Sequence, residues 1–236
     1  MRKFWFGIYL LGMIGCKKET AKEPTQLMVN TQQSDAITAN TWLALGDSYT
    51  IGQGVEAKDR FVAQTIEQLS KKNIRVDSIT YIATTGWTTI DLKQAITSIK
   101  PEKHKVVSLL IGVNDQYRRW DTGGYRIRFK ELLLESIRLA NGKSNHVFVL
   151  SIPDYSVTPY ARNMDTARIS KEIDQFNQIN KAVTNELKCY YIDITGYTRQ
   201  GRLFPLLISA DSLHPSGMAY KQWADQLVPE MERLYN

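Results

Sequence analysis

Apolar and polar positions alternate along the chain in blocks that predict strands and helices in turn. Five short apolar runs have the length and composition of buried strands, and they lie at 42–45, 76–82, 106–111, 147–152 and 190–194. Between these runs, apolar residues recur at three- and four-residue steps, which is typical of amphipathic helices. The recurrences predict helices at 61–73, 88–99 and 125–141, then one that carries Ile169 to Leu187 and a last one that carries Trp223 to Leu234. We expect Pro229 to end or kink the last helix.

Strands that alternate with helices predict a parallel sheet with helices on both faces. We therefore expect an α/β fold with three layers, α/β/α, around a five-stranded parallel sheet. Right-handed crossovers leave few strand orders, of which a flavodoxin-like order is favoured. Open sheets of this kind bind ligands at the carboxyl ends of their strands. The residues that follow each strand are thus the candidate functional residues.

The N-terminal region has a pattern of its own. Arg2 and Lys3 precede an uncharged apolar run over 4–14, which is shorter than the roughly 20 residues of a membrane-spanning helix and is typical of a secretory signal. The run ends at Met13-Ile14-Gly15-Cys16, which resembles a bacterial lipobox with methionine in place of the usual leucine. In a lipobox, cleavage precedes a cysteine that is then lipidated. A plain signal peptide with an incidental cysteine is the alternative.

Three segments follow from this pattern. We predict a lipoprotein signal peptide over 1–15, the lipidated Cys16 with a flexible polar tether over 16–40, and one folded domain over 41–236. The protein would then be attached by its lipid to the bacterial cell envelope, on the periplasmic or outer-membrane side.

The composition and the spacing of the histidines and cysteines argue against a nucleic-acid partner, a metal and a cofactor. The 236 residues carry a net charge of +6 without a basic run interleaved with aromatic residues, so we expect no nucleic-acid partner. The histidines, His104, His146 and His214, are scattered, and no Cys-x-x-Cys or His-x-x-His pair occurs, so we expect no metal and no cofactor. His104 and His146 precede strands and are expected at the surface. Cys189 is expected to be a buried, inert thiol, and the protein a monomer.

Ser48 follows the first predicted strand and is the candidate nucleophile. Ester hydrolysis by a serine needs a base, a group that orients the base, and donors for the oxyanion. His214 is the best base, and Asp211 stands three residues earlier in the same loop. Candidate donors are the amides of Ser48 and Gly86 and the side chain of Asn114.

Alternative roles exist for several of these loop residues. Asn114 could instead brace its loop, and Asp154 and Asp193, which follow later strands, are rival acids for the histidine. Asp47 and Asp115 are expected to brace their loops by accepting hydrogen bonds from backbone amides. We expect two or three aromatic residues to line the site, out of Tyr49, Trp87, Tyr117, Trp120, Tyr155 and Phe204.

Four short motifs together resemble the SGNH/GDSL hydrolase family over residues 41–236. They are Gly46-Asp47-Ser48, Gly86, Gly112-Val113-Asn114-Asp115 and Asp211-Ser212-Leu213-His214. The resemblance implies the SGNH-hydrolase fold, Ser48 as nucleophile, His214 as base and Asp211 as its orienting acid. It also implies an oxyanion hole made by Ser48, Gly86 and Asn114. Tyr49 stands where leucine is common in the family, and the second motif lacks a frequent second glycine. No Gly-x-Ser-x-Gly elbow is present, which disfavours the α/β-hydrolase family.

These observations favour a serine esterase that hydrolyses carboxylic esters through an acyl-enzyme. The substrate would be a small-molecule, lipid or acylated-glycan ester. A lysophospholipase, arylesterase or thioesterase is the first hypothesis, and a polysaccharide O-acetyl esterase is the alternative. An acyltransferase and a non-catalytic surface lipoprotein with the same fold are further alternatives.

Overall fold

The computed structural model describes residues 40–235. The five strands are β1 (Thr41–Gly46), β2 (Ser78–Ala83), β3 (Val106–Leu110), β4 (Val147–Leu150) and β5 (Tyr190–Ile192). All pairs are parallel, and the strand order is β2-β1-β3-β4-β5. The predicted five-stranded, flavodoxin-like sheet is confirmed. The predicted signal peptide, the lipidated Cys16 and nearly all of the tether lie outside the described residues.

Long helices cover both faces of the sheet. They are α2 (Phe61–Ser70), α3 (Thr89–Ile99), α5 (Thr122–Leu139), α6 (Thr166–Glu186) and α8 (Gly217–Glu232). The central strands β3 and β4 are buried at every position, as expected for a sheet covered twice. Ser108 is the polar residue of β3, and it accepts a 2.9 Å hydrogen bond from Trp42 Nε1 on the neighbouring strand.

Three short helices were not expected from the sequence: α1 (Ser48–Ile51), α4 (Val113–Tyr117) and α7 (Thr195–Arg199). With four or five residues each, they are too short to show a helical periodicity. Each begins two or three residues after the end of a strand, at the carboxyl edge of the sheet. The loops that were expected to carry Ser48 and Asn114 are therefore helical turns.

Pro229 does not end the last helix. Helix α8 runs through Pro229 to Glu232, so of the two expected effects of the proline, an end or a kink, the end is wrong. A proline inside a helix costs about 3 kcal/mol, but the apolar side chains around it, Leu227, Val228 and Met231, are all buried. Burying three such side chains stabilises the fold by about 1.5–3 kcal/mol each, which outweighs the cost of the proline.

His104 is buried, so the expectation of a surface residue is wrong. Its Nδ1 lies 2.8 Å from the Glu102 carbonyl and its Nε2 lies 3.1 Å from Thr80 Oγ1. Because both nitrogens find partners, the ring can be buried at little cost. His146 is half-buried with Nδ1 2.7 Å from the Lys105 carbonyl. Cys189 is half-buried, where a buried residue was expected. Burial still raises the pKa of its thiol to about 12, which agrees with an inert thiol. No helix within residues 40–235 has the length and apolar character needed to cross a membrane.

Candidate active site

Ser48 lies at the first position of helix α1, directly beyond strand β1. Asp47 caps this helix, and its Oδ1 accepts a 3.0 Å hydrogen bond from the Tyr49 amide. Gly46 makes the tight connection possible, since a Cβ there would lie 2.1 Å from Thr50 Oγ1 and 2.3 Å from the Leu110 carbonyl oxygen. The Ser48 side chain is consequently fixed at the sheet edge, with 4% of the residue exposed.

In the structure, two consecutive hydrogen bonds connect Ser48 to His214 and His214 to Asp211. His214 Nε2 lies 2.9 Å from Ser48 Oγ, and His214 Nδ1 lies 2.7 Å from Asp211 Oδ2. The His214 ring is buried and packs against the ring of Tyr49 at a centroid distance of 5.0 Å. A histidine whose two nitrogens contact a serine and a carboxylate has the arrangement of a base for that serine.

Asp211 is held as a charged group by hydrogen bonds to its other oxygen. Oδ1 accepts from Ser209 Oγ at 2.7 Å and from the amides of Leu213 and His214 at 2.9 Å each. Burial on its own would raise the pKa of Asp211, but these hydrogen bonds and the contact with the His214 ring lower it to about 2. The carboxylate is therefore ionised at neutral pH and can stabilise a protonated His214.

Backbone hydrogen bonds hold together the two ends of the loop that carries Asp211 and His214. The Ser209 amide donates to the His214 carbonyl at 2.8 Å, and the Ser216 amide donates to the Leu207 carbonyl at 2.9 Å. Ser216 also caps helix α8, as its hydroxyl accepts from the Ala219 amide. Ser209 is not predictable as part of the site from sequence, because a serine two residues before an aspartate carries no distinctive pattern.

Gly54 contributes to the site by close packing. Its φ is +85°, and a Cβ there would lie 2.5 Å from Ser209 Oγ and 3.0 Å from Asp211 Oδ2. The absence of a side chain at Gly54 thus leaves room for the Ser209–Asp211 pair. This contact joins residues more than 150 positions apart, so local sequence gives no sign of it.

The expected oxyanion donors lie on the same edge of the sheet. Within residues 40–235, neither the Ser48 amide nor the Gly86 amide has a hydrogen-bond acceptor. Gly86 has φ +80°, in the left-handed region that favours glycine, and no atom lies within 4 Å of its Cβ position. Its carbonyl accepts a 3.1 Å hydrogen bond from Arg118 Nη2. Asn114 Nδ2 donates to the Trp87 carbonyl at 2.9 Å, which ties the two loops together.

Asp47 and Asp115 brace the surrounding loops, as expected. Burial raises the pKa of Asp47 to about 8, in spite of its hydrogen bond from the Tyr49 amide. Asp115 accepts hydrogen bonds from the amide and the hydroxyl of Thr89 at the start of α3. Burial also raises the pKa of Asp115, although Arg128 lies 3.6 Å away.

Neither rival acid contacts His214. Asp154 Oδ2 accepts from Arg199 Nε at 2.8 Å and from Ser170 Oγ at 2.6 Å, and Asp193 Oδ1 accepts from Ser151 Oγ at 3.2 Å. Both carboxylates stabilise other parts of the fold. The histidine partner is Asp211.

A cavity of about 100 Å³ lies over the serine, and we call it the serine cavity. Its walls are Ser48, Tyr49, Val113, Asn114, Tyr117, Tyr155, Tyr160, Leu213 and His214. Three of the six aromatic residues expected at the site line it, namely Tyr49, Tyr117 and Tyr155, whereas Trp87, Trp120 and Phe204 do not. Tyr160, Val113 and Leu213 were not expected there. Gly86 is also not among the residues that line it.

The sequence model of the GDSL-like lipase/acylhydrolase family matches residues 44–222. The chain belongs to this family. As a GDSL acylhydrolase it is a carboxylic ester hydrolase, and the resemblance seen in the four motifs is confirmed. No curated protein matches the chain.

Several solved structures share the fold of this GDSL acylhydrolase. TesA superposes with a TM-score of 0.64 at 17% identity, covering 82% of this chain and 99% of its own. An acetylxylan esterase from Geobacillus stearothermophilus has a TM-score of 0.61 at 20% identity, covering 81% of this chain and 94% of its own. A lipase/acylhydrolase from Enterococcus faecalis also has a TM-score of 0.61 at 20% identity, covering 83% and 96%. At these identities the similarity shows the fold alone.

Proposed function

We propose that this GDSL acylhydrolase cleaves carboxylic esters through an acyl-enzyme formed on Ser48. The series of contacts from Ser48 Oγ through His214 to the ionised Asp211 carries the proposal. A serine hydroxyl is a weak nucleophile by itself, and it needs a base within hydrogen-bond distance to take its proton. His214 Nε2 is at that distance.

Each residue of the site has a role in the first half of the reaction. Ser48 Oγ attacks the carbonyl carbon while His214 Nε2 takes the hydroxyl proton. Asp211 stabilises the resulting imidazolium, and the negative carbonyl oxygen receives hydrogen bonds from the Ser48 and Gly86 amides and from Asn114. The tetrahedral intermediate then collapses, and the leaving alcohol takes the proton from His214.

Water completes the reaction in the second half. His214 removes a proton from a water molecule, which attacks the acyl carbon of the Ser48 ester. Collapse of this second intermediate breaks the bond to Ser48 Oγ and releases the carboxylic acid. The proton returns from His214 to the serine, so that the free enzyme is restored.

Hydrolysis of nitrophenyl esters by the wild type and by Ser48→Ala tests this proposal. We expect the substitution to lower kcat by about 10⁴-fold or more, with little change in thermal stability because only one hydroxyl is removed. Ser70→Ala, in an exposed part of α2, is the matched control and should retain full activity. Equal turnover by the wild type and Ser48→Ala would contradict the proposal.

Two substrate classes fall within the proposed activity. The first class contains the substrates of a lysophospholipase, arylesterase or thioesterase. The second contains the acetylated polysaccharides that an O-acetyl esterase cleaves. Structures that share the fold include proteins described as an acetylxylan esterase and as a lipase/acylhydrolase, so the fold is compatible with both. The relative rates with acetate and octanoate esters separate the two classes.

We also propose that the chain is a lipoprotein of the bacterial cell envelope. Support comes from Arg2 and Lys3, the apolar run over 4–14 and the lipobox-like residues that end at Cys16. Labelled palmitate, fed to a bacterium that expresses the full chain, should be incorporated into the wild type and into Cys189→Ser. It should be absent from Cys16→Ser. Labelling of Cys16→Ser at the wild-type level would contradict the anchor.

A further inference from the structure

We infer that the serine cavity accepts only a short acyl group, and that the ring of Tyr117 sets this limit. The inference rests on the proposed function, since it concerns the acyl group carried by Ser48. A cavity of about 150 Å³ is large enough for benzene, and the serine cavity measures about 100 Å³. By that comparison it has room for an acyl group of about two to four carbons.

Two tyrosines form a bridge along one side of the serine cavity. Tyr117 lies one helical turn after Asn114 in α4, and its hydroxyl is 2.9 Å from the hydroxyl of Tyr160. The Tyr160 amide donates to the Ser212 carbonyl at 3.0 Å, which attaches this residue to the loop of Asp211 and His214. The bridge therefore joins the side of the cavity that carries the oxyanion donor Asn114 to the side that carries the base.

A wall formed by the rings of Tyr117 and Tyr155 separates the serine cavity from a larger space. Tyr117 and Tyr155 pack edge to face, with ring centroids 6.1 Å apart. Both rings also line a second cavity of about 460 Å³, which we call the outer groove. Its remaining walls are Gln116, Arg119, Met164, Asp165, Arg168 and Ile169. Since Tyr117 belongs to both spaces, removal of its ring should join the serine cavity to the outer groove.

The reaction geometry directs the acyl chain towards this wall. In the tetrahedral intermediate the carbonyl oxygen must face Asn114 and the leaving oxygen must face His214 Nε2. The acyl chain takes the remaining direction, where Val113 and the tyrosine rings offer an apolar surface. A long chain would meet the ring of Tyr117, whereas an acetyl group would not. The structure thus favours esters of short acids, such as O-acetyl esters, over long-chain lipid esters.

A chain-length profile of the full chain tests this inference. We would measure kcat/KM with the acetate, butyrate, hexanoate and octanoate esters of nitrophenol for the wild type, Tyr117→Ala and Tyr117→Phe. The wild type should prefer acetate or butyrate to octanoate by about tenfold or more. Tyr117→Ala should raise the octanoate-to-acetate ratio about tenfold, and Tyr117→Phe, which keeps the ring, should retain the wild-type preference.

A second variant of the bridge and a control variant complete the chain-length profile. Tyr117 and Tyr160 are 50% and 41% exposed, so their replacement is compatible with folding, and Tyr160→Ala should change the profile in the same direction as Tyr117→Ala. Phe204→Ala removes an exposed ring that does not line the serine cavity, and its profile should equal that of the wild type.

The outcomes separate this inference from the proposed function. Ser48-dependent hydrolysis of octanoate as efficient as that of acetate would overturn the inference and leave the proposed function intact. An unchanged profile in Tyr117→Ala would do the same, whatever the profile of Tyr160→Ala. Absence of Ser48-dependent hydrolysis with every ester would overturn the proposed function, and the inference with it.

Discussion

Asp211 holds His214 at two points, because Oδ2 lies 2.7 Å from the ring nitrogen Nδ1 and Oδ1 accepts from the backbone amide of the same histidine at 2.9 Å. One carboxylate therefore fixes both the orientation of the imidazole and the path of the chain that carries it. The three-residue spacing in one short loop makes this double contact possible.

Replacement of Asp211 should remove most of the activity. In Asp211→Asn the side chain no longer carries the charge that stabilises imidazolium, and loss of such a charge lowers kcat by about 10³–10⁴-fold in comparable triads. KM for nitrophenyl acetate should change little, because Asp211 does not line the serine cavity. Asp193→Asn is the control, since its carboxylate contacts Ser151 and Thr195 instead of His214. A loss below tenfold in Asp211→Asn would contradict the assigned role.

Gly54→Ala should lower activity by displacing the Ser209–Asp211 pair. The new methyl group would lie 2.5 Å from Ser209 Oγ, so the hydroxyl has to move and Asp211 with it. Gly142→Ala is a matched control, because Gly142 has a similar φ of +73° with no atom near its Cβ position. Both variants should lose about 1–2 kcal/mol of stability from the left-handed backbone. A decrease in kcat is expected in Gly54→Ala alone, and equal kcat values in the two variants would contradict it.

The fold and the main contacts of the site were predictable from sequence for a physical reason. Buried parallel strands leave continuous apolar runs, and their carboxyl ends meet at one edge, so local patterns made Ser48, Asn114 and His214 candidates for one site. The resemblance of four motifs to the SGNH/GDSL family then gave each of them its expected role. Contacts between distant side chains leave no such trace. Tyr160 lines the serine cavity and is attached to the loop of His214 by the hydrogen bond from its amide to the Ser212 carbonyl. The packing of Gly54 against Asp211 likewise depends on the folded loop.

Asn114→Ala should reduce kcat by about 10²–10³-fold with little effect on KM, since an oxyanion donor acts mainly in the transition state. The side-chain amide of Asn114 has two hydrogens; one is directed at the Trp87 carbonyl and the other is available to the substrate. The exposed Asn145→Ala is the control and should have wild-type kinetics. A variant in which only thermal stability decreases would show that Asn114 is solely a loop brace.

Asp47→Asn should retain activity and change how stability depends on pH. Burial raises the pKa of Asp47 from 3.8 to about 8, so the folded state binds a proton that the unfolded state has lost between these two values. Wild-type stability should therefore fall as pH rises through this window, by about 1.4 kcal/mol per pH unit from this group. Asparagine resembles the neutral carboxyl and does not titrate.

Urea unfolding of both proteins at pH 5, 6.5 and 8 measures this effect. The free energy of unfolding of Asp47→Asn, relative to that of the wild type, should increase steadily across the three values. A constant difference would show that Asp47 is ionised in the folded protein at neutral pH.

His104 shows where sequence reasoning about single residues is weakest. Its position before a strand favoured an exposed side chain, yet Thr80 and the Glu102 carbonyl satisfy both ring nitrogens in a buried setting. Burial of a polar side chain depends on partners that the fold supplies. The same holds for Ser209, whose part in the site depends on its contact with Asp211 in the folded loop.

Covalent labelling decides whether Ser48 is the nucleophile. A fluorophosphonate probe, which reacts with an activated serine, should add to the folded wild type at one site, and peptide mass analysis should place the adduct on Ser48. Ser48→Ala should remain unlabelled, and His214→Ala should be labelled far more slowly. An adduct on a different serine, or no adduct on the well-folded wild type, would show that Ser48 is not the nucleophile.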